Sequence, residues 1–130
     1  MTLDELETFR FLKQEAEEIA RQLDELDTML LPGHENTGTH SSRPSDPTSA
    51  YVRKKLALEE RLSKKTMALL DEYARIEMWV ESLDDSEVAT IVRRRFFRGE
   101  GWRKIANAMY GYGSSESTPR MRLTRFLEDN

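Results

Sequence analysis

The sequence predicts an all-α fold, with a long, coiled-coil-like N-terminal helical hairpin followed by three short helices. Three observations carry this reading. Apolar residues recur at three- and four-residue spacing along two long stretches, Leu3–Leu31 and Ala50–Leu83. A Pro- and Ser-rich stretch, Pro32–Ser49, separates them. The last third then breaks into short apolar-periodic pieces divided by glycine-containing turns.

In the first stretch, Phe9, Leu12, Ala16, Ile19, Leu23, Leu26 and Leu30 fall on one seam, and no Gly or Pro interrupts it before Pro32-Gly33. Thr2 followed by Glu5 is a capping box for its start. Pro32–Ser49 holds three of the four prolines and almost no apolar side chain, so it reads as a flexible connector. His34 and His40 both lie there, and with Glu35 they lack the scaffold that a metal site needs, so no metal is expected. The second stretch carries a seam of Val52, Leu62, Leu69, Tyr73, Ile76, Val80 and Leu83, widened by Leu56 and Leu70 and interrupted near its start by Lys55, Glu59 and Thr66. Each helix is about 45 Å long, and the two are expected to pair antiparallel. One such pair has little core, which predicts a homo-oligomer built through the N-terminal helices.

From Ser82 onward the pattern changes. Asp84, Asp85 and Ser86 supply cap residues for a helix through Val88, Ile91, Val92 and Phe96, which Gly99-Glu100-Gly101 ends. Trp102–Met109 is a short helix with Trp102, Ile105, Ala106 and Met109 on one face. Tyr110–Ser114 turns the chain, and Thr118-Pro119 reads as the N-cap and first position of a last helix running to about Leu127. Ala106 is the small residue that two closely crossing helices need, with Phe96, Trp102, Ile105, Leu123 and Phe126 as the hydrophobic clamp. Together these residues describe a helix-turn-helix unit at 84–130, after a hairpin at 1–83.

Charge supports the same division. The chain has 130 residues and a net charge of −4, but residues 1–50 carry −7 while Arg93–Arg125 holds nine basic and two acidic residues. A basic segment beside an acidic oligomerising element suits a DNA-binding protein. Arg120, Arg122 and Arg125 on the last helix are bidentate donors that suit phosphate and guanine. Trp102, in phase with Ile105 and Ala106, reads as a core anchor rather than a stacking platform. Tyr110 and Tyr112 have two readings, phosphate contact or plain surface. So do Arg93–Arg95 and Arg98, which grip phosphate unless Arg95 pairs with Asp84 or Glu87. An enzyme is not expected. The glycines lack phosphate-loop spacing, no Ser–His–Asp set can be assembled, and the acidic pairs are adjacent and so diverge on their helices. With no Cys and no apolar run of membrane length, disulfides and a membrane span are excluded, and the expectation is a cytoplasmic protein without cofactor.

The segments Ser82–Ser86, Val92–Phe96, Gly101–Ala106 and Pro119–Leu127 resemble the C-terminal helix-turn-helix of sigma-factor region 4. In particular they are similar to the small phage and prophage transcriptional regulators of Gram-positive bacteria, which also carry a helical N-terminal segment and a Ser/Pro/Asp-rich loop. That resemblance implies a sequence-specific regulator of transcription, with double-stranded DNA as partner and RNA polymerase or another protein as a docking partner of the hairpin. The DNA-contacting set is then Arg98, Arg103, Lys104, Ser117, Thr118, Arg120, Arg122 and Arg125. Two departures separate this chain from the family. Lys104 stands where a Glu is usual, and Pro119 follows a longer turn where a β-branched residue is usual, so base specificity does not carry over. The alternatives are a small-terminase-like subunit that recognises DNA for phage packaging, and a helical protein-interaction module.

Overall fold

The computed structural model describes residues 1–29 and 47–129, and every secondary-structure element among them is helical. The elements are α1 (Leu3–Met29), α2 (Pro47–Glu81), α3 (Ser86–Val92), α4 (Trp102–Tyr110) and α5 (Ser117–Asp129). A π-helical turn, Arg93–Phe97, continues α3. No helix among the described residues is long and apolar enough to cross a membrane.

The capping box at the start of α1 is formed in both directions. The Thr2 N–H donates to Glu5 Oε2 at 2.7 Å, and the Glu5 N–H donates to Thr2 Oγ1 at 3.1 Å. Helix α2 opens at Pro47 rather than Ala50, so Pro47, Thr48 and Ser49 belong to the helix and not to the connector. Proline suits the first turn, where its missing N–H costs no intrahelical bond. The rest of the connector, including His34, Glu35 and His40, lies outside the described residues, as do Leu30 and Leu31.

Contacts group the chain into two compact units, Met1–Leu12 with Leu69–Asn130, and Lys13–Ala68. In the second unit the two helix segments run antiparallel. Lys65 pairs with Glu15 at 3.0 Å, Lys55 with Asp27 at 3.3 Å, and the Tyr51 hydroxyl donates to Asp27 at 2.7 Å. Ala16, Ile19 and Leu58 are buried there. Leu58 lies off the expected seam, whereas Val52 and Leu56, both on it, are 45% and 60% exposed. The inward row is instead Tyr51, Lys55, Leu58, Leu62 and Lys65, whose two cations meet α1 carboxylates. Lys55 is thus part of the seam rather than a break in it.

In the first unit, one core joins Leu6 and Phe9 of α1, Ile76 and Val80 of α2, Val88, Ile91 and Val92 of α3, Phe96, and Leu123 of α5. The 83/84 division expected from the sequence falls inside this unit, because the core continues across it. Trp102, Met109, Phe126 and Leu127 pack against the same core. The π-helical turn is held by Arg98 N–H to Arg93 O and Glu100 N–H to Arg94 O, both at 2.9 Å. Its wider winding lets two successive aromatics face inward. Phe96 is fully buried, and the Phe97 ring lies 5.8 Å from Phe9 and 4.6 Å from Tyr73.

Candidate nucleic-acid interface

Helix α3 begins at Asp85, whose extended backbone (φ −96°, ψ 99°) lets its carboxylate accept the Val88 N–H at 3.0 Å. The same carboxylate also takes Arg122 from α5, and Arg122 Nε donates to Glu87 Oε1 at 2.6 Å. Glu87 Oε2 in turn accepts the Tyr110 hydroxyl from the end of α4, at 2.7 Å. These four side chains tie α3, α4 and α5 together. The Val88 N–H, followed by Arg122, holds the Asp85 carboxyl below its ordinary value. Tyr110 and then Arg122 do the same for Glu87. Burial, with Glu87 beside it, pushes the Tyr110 phenol up to about 12.

The arginine run that dominates the sequence is largely committed inside the fold. Arg93 reaches both oxygens of Glu77 at 2.7 and 3.0 Å, and Arg94 reaches Glu100 at 2.9 Å. Arg95 donates to the Glu100 carbonyl at 3.1 Å, and its guanidinium lies 4.7 Å from the centre of the Trp102 ring. Burial, with Arg10 nearby, lowers the Arg95 pKa from its ordinary value. Its partners are therefore a carbonyl and a ring, not Asp84 or Glu87. Trp102 is half-buried against the core with Arg95 over its face.

Helices α4 and α5 pack on each other around the fully buried Ile105, Ala106 and Leu123. Helix α5 starts at Ser117, one residue before the expected cap Thr118, and Pro119 is buried in its first turn. Thr118, Met121 and Arg125 line one shallow hollow with Glu87, Tyr110 and Arg122, and Arg120, Thr124 and Arg125 share another with Glu128. Ser117 is half-buried and bonded to Ser115, with their hydroxyl oxygens 2.8 Å apart. Arg103 and Lys104 stand exposed on the first turn of α4, where Gly101, the residue before it, offers no side-chain cap.

Of the eight residues expected to contact DNA, Arg98, Lys104, Arg120 and Arg125 are exposed and make no ion pair among the described residues. Arg103 makes one loose pair, to Glu116 at 3.9 Å. Thr118 is exposed, Ser117 faces the turn, and Arg122 is occupied by Asp85 and Glu87. Sequence reasoning missed the partners of Arg122 and the role of Asn107, whose side-chain oxygen accepts the Gly113 N–H at 3.2 Å. An Asn in the last turn of α4, four residues before Gly111, was the available signal for that turn lock. The chain matches no family model, and no curated protein or solved structure is similar to it at a significant level.

Proposed function

We propose that this chain is a sequence-specific, DNA-binding regulator of transcription, working in the cytoplasm and reading the major groove with α5. One observation carries the reading. The basic segment divides into cations consumed by the fold and cations left outward, and the outward ones are Arg98 ahead of α4, Arg103 and Lys104 on its first turn, and Arg120 and Arg125 along α5. An arginine-bearing helix packed across a shorter one by a small buried residue is the arrangement that carries side chains to base edges. Arg120 and Arg125 are the base or phosphate donors of α5, with Thr118 and Thr124 beside them. Arg98, Arg103 and Lys104 serve the backbone.

Assembly as a homo-oligomer belongs to the same proposal. In the second unit Leu56 and Met67 stand 60% and 66% exposed, and in the first Leu70 and Met78 stand 62% and 73% exposed. These are α2 side chains that a second helix can cover. RNA polymerase would be a docking partner of the hairpin rather than of α5.

The test is selection of duplexes from a random pool at ~150 mM salt. Full-length protein is compared with a variant carrying Arg120→Ala and Arg125→Ala; Arg122 is left intact because it holds α3 to α5. The expected result is an enriched motif that the variant loses, with Arg120→Ala alone costing about 1–3 kcal/mol on the preferred duplex. A motif with two-fold symmetry would report a dimer. Retention of all sequences alike would remove the sequence-reading role, and no retention would remove the DNA reading altogether.

A further inference from the structure

The turn between α4 and α5 holds its tip in one conformation and displays an aromatic ring there. The Gly111 N–H donates to the Asn107 carbonyl at 3.1 Å, Gly113 N–H to the Asn107 side chain at 3.2 Å, and Ser114 N–H and hydroxyl to the Gly111 carbonyl at 3.1 and 2.7 Å. Gly111 and Gly113 have φ of +105° and +89°, values that side chains rarely adopt, so the turn needs glycine on both sides of Tyr112. Tyr112 itself is 98% exposed. The four hydrogen bonds hold the backbone of the turn, and a ring left in water at its tip gains nothing for folding.

Two adjoining shallow hollows, of about 440 and 630 Å³, share Arg103, Asn107 and Tyr112. Lys104 lines one of them and Glu116 the other. Arg103 and Lys104 bring positive charge, and the Asn107 amide group, with its oxygen already taken by Gly113, keeps its N–H donors. The Tyr112 hydroxyl is a further donor. The opposing group is Glu116, 3.9 Å from Arg103 with both side chains largely exposed. A donor-rich pair of hollows with a single weakly held carboxylate matches an oxyanion, and in a DNA-binding protein the oxyanion at hand is the backbone phosphate.

The geometry points to these two hollows together as a phosphate clamp for the DNA backbone, in which Tyr112 donates its hydroxyl, Arg103 and Lys104 supply charge, and Glu116 competes with the phosphate for Arg103. The inference rests on the DNA-binding reading above and adds to it Tyr112 as a backbone donor and Glu116 as a competitor for Arg103. No sequence information passes through such a contact, so its effects are uniform across duplexes.

The experiment titrates the full-length chain with the enriched duplex and with a scrambled duplex, at several salt concentrations. Tyr112→Phe is expected to weaken both duplexes by about threefold, and Glu116→Gln to tighten both by a similar factor. Arg103→Ala is expected to make the slope of log affinity against log salt shallower by about 1, and to abolish the gain from Glu116→Gln in the double variant. A loss of function through misfolding cannot produce the gain from Glu116→Gln. Titration with inorganic phosphate alone, followed by the amide signals of Gly111–Ser114, is expected to give no saturable change at millimolar concentration. Saturation there would assign the hollows to free phosphate and overturn the clamp. Variants indistinguishable from the parent on both duplexes would also overturn it while leaving the α5 reading in place. An effect confined to the enriched duplex would make Tyr112 a base contact and overturn the assignment to the backbone. A parent chain that holds neither duplex would remove both proposals together.

Discussion

Asp85, Glu87, Tyr110 and Arg122 form one network whose stability depends on pH from both sides. On the acid side, both carboxyls titrate below their ordinary values in the fold, Asp85 chiefly because it caps Val88 and Glu87 chiefly because it accepts from Tyr110. Their contribution is full above the ordinary carboxylate range and is lost as pH falls through the lowered values, that is, below about pH 4. On the alkaline side the sign reverses. The Tyr110 phenol is pushed up to about 12 by burial and by Glu87, so above its ordinary value of 10 the unfolded chain sheds the proton first. Stability tied to Tyr110 is therefore present below pH 10 and lost on the way to about 12. Melting temperature followed against pH should fall more steeply over that window for the parent than for Tyr110→Phe. Parallel curves would mean that the hydroxyl of Tyr110 is not held against Glu87.

Helix α2 carries two apolar rows, and only one of them faces α1. Val52, Leu56, Met67, Leu70 and Met78 lie on one, and Leu58, Leu62, Leu69, Ile76 and Val80 on the other. Leu58→Ala is expected to cost about 2 kcal/mol or more in urea unfolding, because Leu58 is 4% exposed beside a small core. Leu56→Ala should change stability by no more than about 0.5 kcal/mol, since its side chain is 60% in water. Equal costs would put Leu56 back on the facing row, where the sequence places it. The existence of each helix was legible from periodicity, and the start of α1 from Thr2 and Glu5, because those signals are local. The facing row of α2 was not legible near its start. There the choice is made by charges on α1, with Asp27 taking Tyr51 and Lys55, and Glu15 taking Lys65. Such pairs join residues far apart in sequence and leave no trace in the period of one helix. The arginine run misled for the same reason: Glu77 and Glu100 are what draw Arg93 and Arg94 into the fold.

At the scale of the whole chain, the division between inward and outward cations sets how DNA binding responds to salt. Arg93–Arg125 holds nine basic residues. Arg93, Arg94 and Arg122 are paired with carboxylates, and Arg95 lies against Trp102. That leaves Arg98, Arg103, Lys104, Arg120 and Arg125 to neutralise phosphates. Each phosphate neutralised on duplex DNA contributes about −0.9 to the slope of log affinity against log salt. Five contacts give a slope no steeper than about −4.5 per bound chain, whereas nine would give about −8. The net charge of −4 acts in the same direction, since the acidic remainder repels the duplex and keeps non-specific association weak at moderate salt. Affinity measured from about 50 to 200 mM salt, with stoichiometry fixed by titration, separates the two cases. A slope near −4.5 per chain means that the internal pairs survive on DNA and that the interface consists of α4, α5 and Arg98. A slope near −8 means that Glu77, Glu100, Asp85 and Glu87 give up their arginines to phosphate and Trp102 gives up Arg95; binding would then loosen the turn that sets Phe96 and Phe97 into the core, and their amides would exchange faster with added duplex.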